Sequence, residues 1–169
     1  RQRQMCIRDR SQKTPESRVR VGLSLPPAGF ASHDVAAAYV NSAADAGLDH
    51  LVTADHVAFF DGRGMDGLVT VSWLAGLHPT IGLYIGVYLL ALRHPVAVAR
   101  QIATLATHAP GRVTFGVGIG GADRHEMEVM GVNPATRGRQ TDEALDLLRP
   151  LLAGQIVNHH GEFLSLIHI

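Results

Sequence analysis

Four stretches of this chain carry the apolar and β-branched residues typical of buried strands, and a stretch with helical spacing follows each of them. The strands are predicted over residues 19–25, 50–54, 80–87 and 112–117. Strands that alternate with helices predict a parallel sheet, because each helix returns the chain to the same edge. The carboxyl ends of all four strands then meet at one rim, where such proteins place their functional sites.

Helices are predicted after each strand, over residues 32–46, 68–77, 95–108 and 138–152. Ser32 and Gly47 supply the start and stop signals of the first helix, and Pro150 should end or kink the last. The glycine-rich residues 60–67 predict a loop over the rim.

Two later segments have weaker patterns. Residues 122–136 are predicted to form a polar excursion, in which Glu126 and Glu128 would be solvated charges. Residues 161–163 would begin a small hairpin or the next strand.

Composition limits the class of protein. A chain of 169 residues, of which 46% are apolar, is long enough for one domain with a core. The first 18 residues carry six basic and two acidic side chains, and the rest carry nine basic and thirteen acidic. This mildly acidic body has no basic stripe, which argues against nucleic acid as a partner.

Several features favour a cytoplasmic protein without a membrane partner. No run of 18 apolar residues occurs. Cys6 is the only cysteine, so neither a disulfide framework nor a cysteine metal site is expected. His159 and His160 lack the spacing of metal ligands, and no metal is predicted.

The two ends of the chain differ from the rest. Residues 1–17 have neither helical nor strand periodicity, and residues 165–169 close no element. Both segments look like foreign sequence joined to a domain over residues 18–164. For residues 1–17, a genuine disordered tail with a basic N-terminus is the alternative.

Asp55 and His56 directly follow the second predicted strand, at the rim. A histidine can exchange protons near neutral pH, and an adjacent acid can orient it or bind the edge of a cofactor ring. The alternative is an aspartate that caps a loop and a histidine that only packs beneath it.

Residues 116–121 match the pattern G-x-G-x-x-G at the end of the fourth strand. In an NAD-dependent Rossmann oxidoreductase this loop opens directly into a helix, whereas a polar segment follows it here. The other interpretations are a strand end whose missing side chains let a flat ring approach the backbone, or a simple flexible turn.

A series of motifs in one order and spacing resembles a known family. They are residues 43–50 before Asp55-His56, then residues 80–83, 93–95, 101–105, 111–112, 116–121 and 137–139, Glu143 and Gly161. Between residues 18 and 163 they resemble the bacterial luciferase-like oxidoreductases, which use FMN or the deazaflavin coenzyme F-420.

The resemblance implies an α/β fold of the (β/α)8 TIM-barrel type. Complete members are about twice as long, so the four βα units here would be the N-terminal half only. It also implies hydride transfer or oxygen activation on a small-molecule substrate, and a homodimer for the complete protein. The segment alone is expected to be inactive. A non-catalytic flavin-binding or truncated structural relative is the alternative.

The resemblance also assigns roles to rim residues. His56 would be catalytic, and Phe60 would lie at the substrate. The residues that would bind the cofactor are Asp55, Tyr88, Leu89, Gly118, Ile119, Gly120 and Gly121. Tyr88 and Leu89 fall where deazaflavin enzymes have an irregular backbone, either a bulge or a cis peptide. Glycine replaces the catalytic glutamate that some of those enzymes carry after the fourth strand, which disfavours a sugar-phosphate dehydrogenase.

Overall fold

The chain is built around a four-stranded parallel sheet, seen in a computed structural model that describes residues 18–60, 62, 64–121 and 123–167. The strands are β1 (Gly22–Ser24), β2 (His50–Thr53), β3 (Gly82–Leu89) and β4 (Val113–Gly118). All four pair in parallel, in the order β1-β2-β3-β4. The predicted leader, residues 1–17, lies outside the described residues, as do the last two residues of the predicted tail.

Helices follow the strands as predicted. They are α1 (His33–Asp45), α2 (Gly67–Leu77), α3 (Pro95–His108), α4 (Arg124–Val129) and α5 (Arg137–Leu152), with a 3₁₀ turn over Leu90–Leu92. Pro150 lies in the last turn of α5, which ends two residues later at the predicted boundary. The short helix α4 was not predicted, because six residues are too few to show a periodicity.

The order of the strands excludes one alternative. In a Rossmann fold the strand order reverses, so that the first strand lies inside the sheet. Here β1 is an edge strand and the order follows the sequence. Helix α4 also begins only at Arg124, three residues after Gly121. The NAD-dependent Rossmann alternative is therefore wrong, and the sequential order is that of a barrel.

The two faces of the sheet have different roles. On one face, alternate residues such as Leu51, Leu83 and Ile85 are buried against the helices. On the other face lie the intervening residues, among them His50 and Tyr84, whose rings meet edge to face at 5.9 Å. This second face is only partly covered by the described residues.

A small hairpin, one of the two predicted alternatives, follows α5, but it begins at His159 and residues 161–163 lie in its turn. Strands β5 (His159–His160) and β6 (Ser165–Leu166) pair antiparallel. Glu143 of α5 holds the turn by accepting hydrogen bonds from the amides of Phe163 (3.0 Å) and Leu164 (2.9 Å). Residues 165 and 166 thus belong to the fold, whereas a foreign origin of residues 165–169 stays a prediction.

Within the described part of the chain, no helix is both long and apolar enough to cross a lipid bilayer.

The sheet leaves two edges open. Among the described residues, no strand pairs with the outer edge of β1 or β4. Open edges template pairing with other chains, so we expect the 169-residue chain by itself to self-associate. Size-exclusion chromatography with light scattering measures this directly. A stable monomer at micromolar concentration would contradict the expectation.

Candidate functional site

A cavity of about 550 Å³ opens at the carboxyl ends of β1 and β2. Its described lining residues are Pro27, Ala28, Ala54, His56, Phe59, Gly62, Gly64 and Met65. A second cavity of about 170 Å³ shares four of these residues and reaches Gly86 of β3. Among the described lining residues of the first cavity, His56 has the only titratable side chain. The arrangement is an apolar wall with one polar group, as in many small-molecule sites.

A groove of about 600 Å³ lies elsewhere, between α2 and α3. It lies on the helix-covered side of the sheet, away from the rim, and none of the predicted site residues lines it. The cavity beside His56 is therefore the candidate site.

His56 is held from several sides. Its backbone amide donates to the carbonyl of Met65 (3.0 Å), and its ring stacks on Phe59 with centroids 4.0 Å apart. Nδ1 lies 3.3 Å from Oε2 of Glu126. Gly64, at a φ of +94°, lies so close that an added Cβ would be 2.7 Å from His56 Cβ. Nε2 makes no hydrogen bond to any described residue, which leaves it for a ligand.

Glu126 is not the solvated charge that the sequence predicted. It is 2% exposed, because α4 turns it inward beneath the loop that follows β2. Its Oε1 accepts hydrogen bonds from the amides of Val57 (2.6 Å) and Ala58 (3.2 Å). Glu128 is exposed, as predicted. Asp123 three residues before Glu126 is a capping-box pattern, and this signal could have revealed the helix.

Asp123 makes a second connection between α4 and the same loop. It caps α4 through the amide of His125 (2.9 Å) and accepts from the amide of Phe60 (2.6 Å). These hydrogen bonds lower the pKa of the Asp123 carboxyl, and the bond from Phe60 has the largest effect. Together they outweigh desolvation, which acts in the opposite direction. Phe60 has a φ of +44°, and its exposed ring packs on Phe59. The predicted substrate residue therefore lies near His56.

Asp55 accepts four hydrogen bonds at the rim. It is 1% exposed and points into the helix layer, opposite to His56. Its two oxygens accept from the amides of Gly67 and Leu89, both at 2.8 Å. They also form a bidentate pair with Arg93 at 2.6 and 2.9 Å. The family resemblance implied that Asp55 binds the cofactor. That role stays a prediction, and both oxygens of this carboxylate are engaged by partners within the protein.

Arg93 is a central residue that was not assigned a role from the sequence, although it lies in one of the family motifs. Besides Asp55, its guanidinium contacts Asp66 (2.9 Å) and lies 4.4 Å from the ring centre of Tyr88. Burial alone would lower the pKa of Arg93, but the adjacent Asp55 carboxylate and the other groups raise it. The arginine therefore stays charged.

Tyr88 and Leu89 do not line the cavity beside His56. Tyr88 is 1% exposed in the core, where burial raises the pKa of its hydroxyl, and Leu89 is 5% exposed. The backbone is irregular just before them. The Gly86–Val87 peptide is cis, and the pairing of β3 with β4 shifts between Ile85 and Tyr88. The expected irregularity is thus present, with the cis bond before Tyr88. The cofactor role of the two residues stays a prediction.

The glycine loop after β4 has a packing explanation. A Cβ on Gly118 would overlap the side chain of Val87, and one on Gly120 would overlap that of Met127. Gly121 lies against Arg137, and Ile119 is 46% exposed. These four residues lie beyond the cavity beside His56, and contact with a cofactor ring stays a prediction for them. In the described residues, no cluster of three or more histidine, cysteine or acidic side chains could hold a metal ion.

The buried ion pair can be tested by removing one partner. We expect Arg93→Met to lower the free energy of unfolding by about 3–5 kcal/mol, because it leaves the Asp55 charge buried without its partner. Arg139 pairs with Glu162 at the surface, with both side chains more than half exposed. The control Arg139→Met should cost less than about 1 kcal/mol. Urea denaturation measures both, and equal losses would contradict the expectation.

Comparison with known proteins identifies the family. A model of the family described as luciferase-like monooxygenase matches residues 15–169. One relative, a protein of Kineococcus radiotolerans named F420-dependent glucose-6-phosphate dehydrogenase, is 33% identical over 130 residues. That match covers 73% of this chain and 38% of the relative.

Solved structures confirm the predicted α/β fold of the TIM-barrel type. The monooxygenase RslO1 of Streptomyces bottropensis matches with a TM-score of 0.76 at 22% identity, over 88% of this chain and 47% of that one. The oxygenating constituent of 3,6-diketocamphane monooxygenase from Pseudomonas putida, in complex with FMN, matches with a TM-score of 0.74 at 19% identity, over 87% and 43%. The chain thus spans less than half the length of these proteins. It belongs to the luciferase-like monooxygenase family.

Proposed function

We propose that the complete protein is an oxidoreductase or monooxygenase that uses FMN or coenzyme F-420, with its reaction centre at the cavity beside His56. One observation carries the proposal. In a chain of this family, the rim of the sheet presents an apolar cavity whose only titratable described lining residue is His56, and its Nε2 makes no hydrogen bond to a described residue. Such a site suits proton exchange beside a redox group that the protein does not itself supply.

The residues around the cavity fit a flat ring system. Small side chains, Ala54 and Gly64, leave its floor open, and Phe59 and Met65 supply apolar contact surface. A volume of about 550 Å³ is in the range of small-molecule and cofactor sites. These residues would hold the ring. When bound, the cofactor supplies hydride transfer or, for FMN, oxygen activation.

Proteins similar to this chain include examples with each of the two cofactors. The name of the Kineococcus relative specifies F420, and the solved Pseudomonas protein holds FMN. Both cofactors have a planar tricyclic ring, and the apolar lining of this cavity suits either. The proposal therefore includes both.

The chain itself contributes orientation, exclusion of water and a proton site. The stacked Phe59 covers one face of the His56 ring and keeps water from it. The Asp55–Arg93 pair fixes the ends of β2 and β3 behind the cavity. His56 can then take up a proton from a small-molecule substrate, or return it, at Nε2.

The wider setting is part of the same proposal. We propose a homodimer that works in the cytoplasm on a small molecule, with neither nucleic acid nor a membrane as partner. The dimer is what the family resemblance implies, and the mildly acidic body without a basic stripe supports the exclusion of nucleic acid.

The cofactor can be identified by its absorbance. We expect the complete protein to release a ligand that absorbs at about 450 nm for a flavin or about 420 nm for the deazaflavin. The 169-residue chain alone should bind either cofactor weakly, because it forms only part of the rim. A complete protein that binds neither FMN nor F-420 in a titration would refute the proposed function.

Turnover tests the role of His56. Replacing it in the complete protein, His56→Ala, should lower kcat at least about tenfold, because the proton site is lost while Glu126 and Asp123 still hold the loop by its amides. His108→Ala, at an exposed position on α3, is the matched control and should leave kcat unchanged. If His56→Ala binds cofactor and turns over normally, the protein is a member in which this histidine only packs.

A further inference from the structure

We propose that Glu126 is a positioning residue, which keeps the proton of neutral His56 on Nδ1 and so keeps Nε2 free to accept a proton at the cavity. The inference rests on the proposed function, because it refines the role of His56 there. It depends on three features of the described residues: the bonds of the glutamate, the confinement of the ring, and the difference from Asp55.

The bonds of Glu126 direct one of its oxygens to His56. Oε1 is occupied by the amides of Val57 and Ala58, while Oε2 lies 3.3 Å from Nδ1. An ionised carboxylate can only accept hydrogen bonds. The proton of this contact therefore belongs to Nδ1, and in a neutral imidazole the other nitrogen is then an acceptor.

The His56 ring is confined in this orientation. Phe59 stacks on it at 4.0 Å, and a Cβ on Gly64 would lie 2.9 Å from its Cδ2. A half-turn that exchanged Nδ1 with Cδ2 would keep the plane of the ring but break the bond to Glu126, so the observed orientation is the one that presents a nitrogen to the carboxylate. The glutamate thus meets one fixed nitrogen, and the protein selects one tautomer.

Glu126 differs in its partner from Asp55, which is also a buried carboxylate of the rim. Asp55 has a bidentate arginine, so its charge is balanced within the structural network. The only side chain that pairs with Glu126, among the described residues, is His56. A carboxylate that served only to cap the loop would not need its second oxygen on an imidazole. The placement points to control of the histidine's proton.

The conservative variant Glu126→Gln separates this role from a structural one. The carboxamide oxygen of glutamine can still accept from the amides of Val57 and Ala58, so the loop is kept. Its NH₂ group then faces Nδ1 and donates to it, which moves the ring proton to Nε2. The wrong tautomer cannot accept a proton at the cavity.

Nitrogen-15 NMR of the imidazole reads the tautomer in the complete protein, without cofactor or substrate, at a pH at which the ring is neutral. We expect Nδ1–H in the wild type and Nε2–H in Glu126→Gln. Glu128→Gln removes the same charge from an exposed position of α4 and should leave the wild-type tautomer. Nε2–H in the wild type would overturn the proposal, even if Glu126→Gln failed to fold. An unchanged tautomer in a folded Glu126→Gln would also overturn it.

Kinetics give a second readout. In the complete protein, Glu126→Gln should lower kcat at least about tenfold and change KM little, because it affects the proton and not the cavity wall. An unchanged kcat would overturn the role of Glu126 in the reaction. A complete protein that bound neither cofactor would refute the proposed function. The NMR measurement could still be made on that protein, because it needs no cofactor, so the two failures are distinguishable.

Discussion

The buried ion pair between Asp55 and Arg93 determines the geometry of the rim. Removing these charges from water is costly, and the structure offsets that cost with a bidentate pair and two amide donors, Gly67 and Leu89. The donors belong to the start of α2 and the end of β3. One carboxylate thus joins three segments. Asp55 and His56 follow β2 and continue the alternation of its side chains, so that Asp55 lies in the helix layer and His56 at the cavity.

His56 and its loop are also held by the segment that follows β4. The short helix α4 inserts two buried carboxylates, Glu126 and Asp123, beneath the loop after β2, and together they accept from the amides of Val57, Ala58 and Phe60. Without these acceptors the loop would have three unpaired donors in a partly buried setting. The loop is therefore defined by contacts across the sheet as well as by its own sequence. The position of the histidine depends on both supports.

The sequence predicted the sheet, its rim and the place of His56, because alternating strands and helices leave a strong local pattern. It did not predict the burial of Glu126 or the partner of Asp55. Glu126 bonds to residues 68 to 70 positions away, and Arg93 lies 38 positions from Asp55. Local periodicity carries no information on such contacts. In the sequence, a buried carboxylate and a solvated one look the same until the partner is known.

The way the polar groups are used limits what this part of the protein can do. The carboxylates of Asp55 and Asp123, together with the guanidinium of Arg93, are engaged by the protein itself. Among the described residues that line the cavity, only His56 offers a titratable atom to a ligand. One histidine in an apolar wall can move a proton, but it cannot accept the two electrons of a hydride. A separate redox group is therefore required for oxidoreductase chemistry, and this division of work agrees with the family to which the chain belongs.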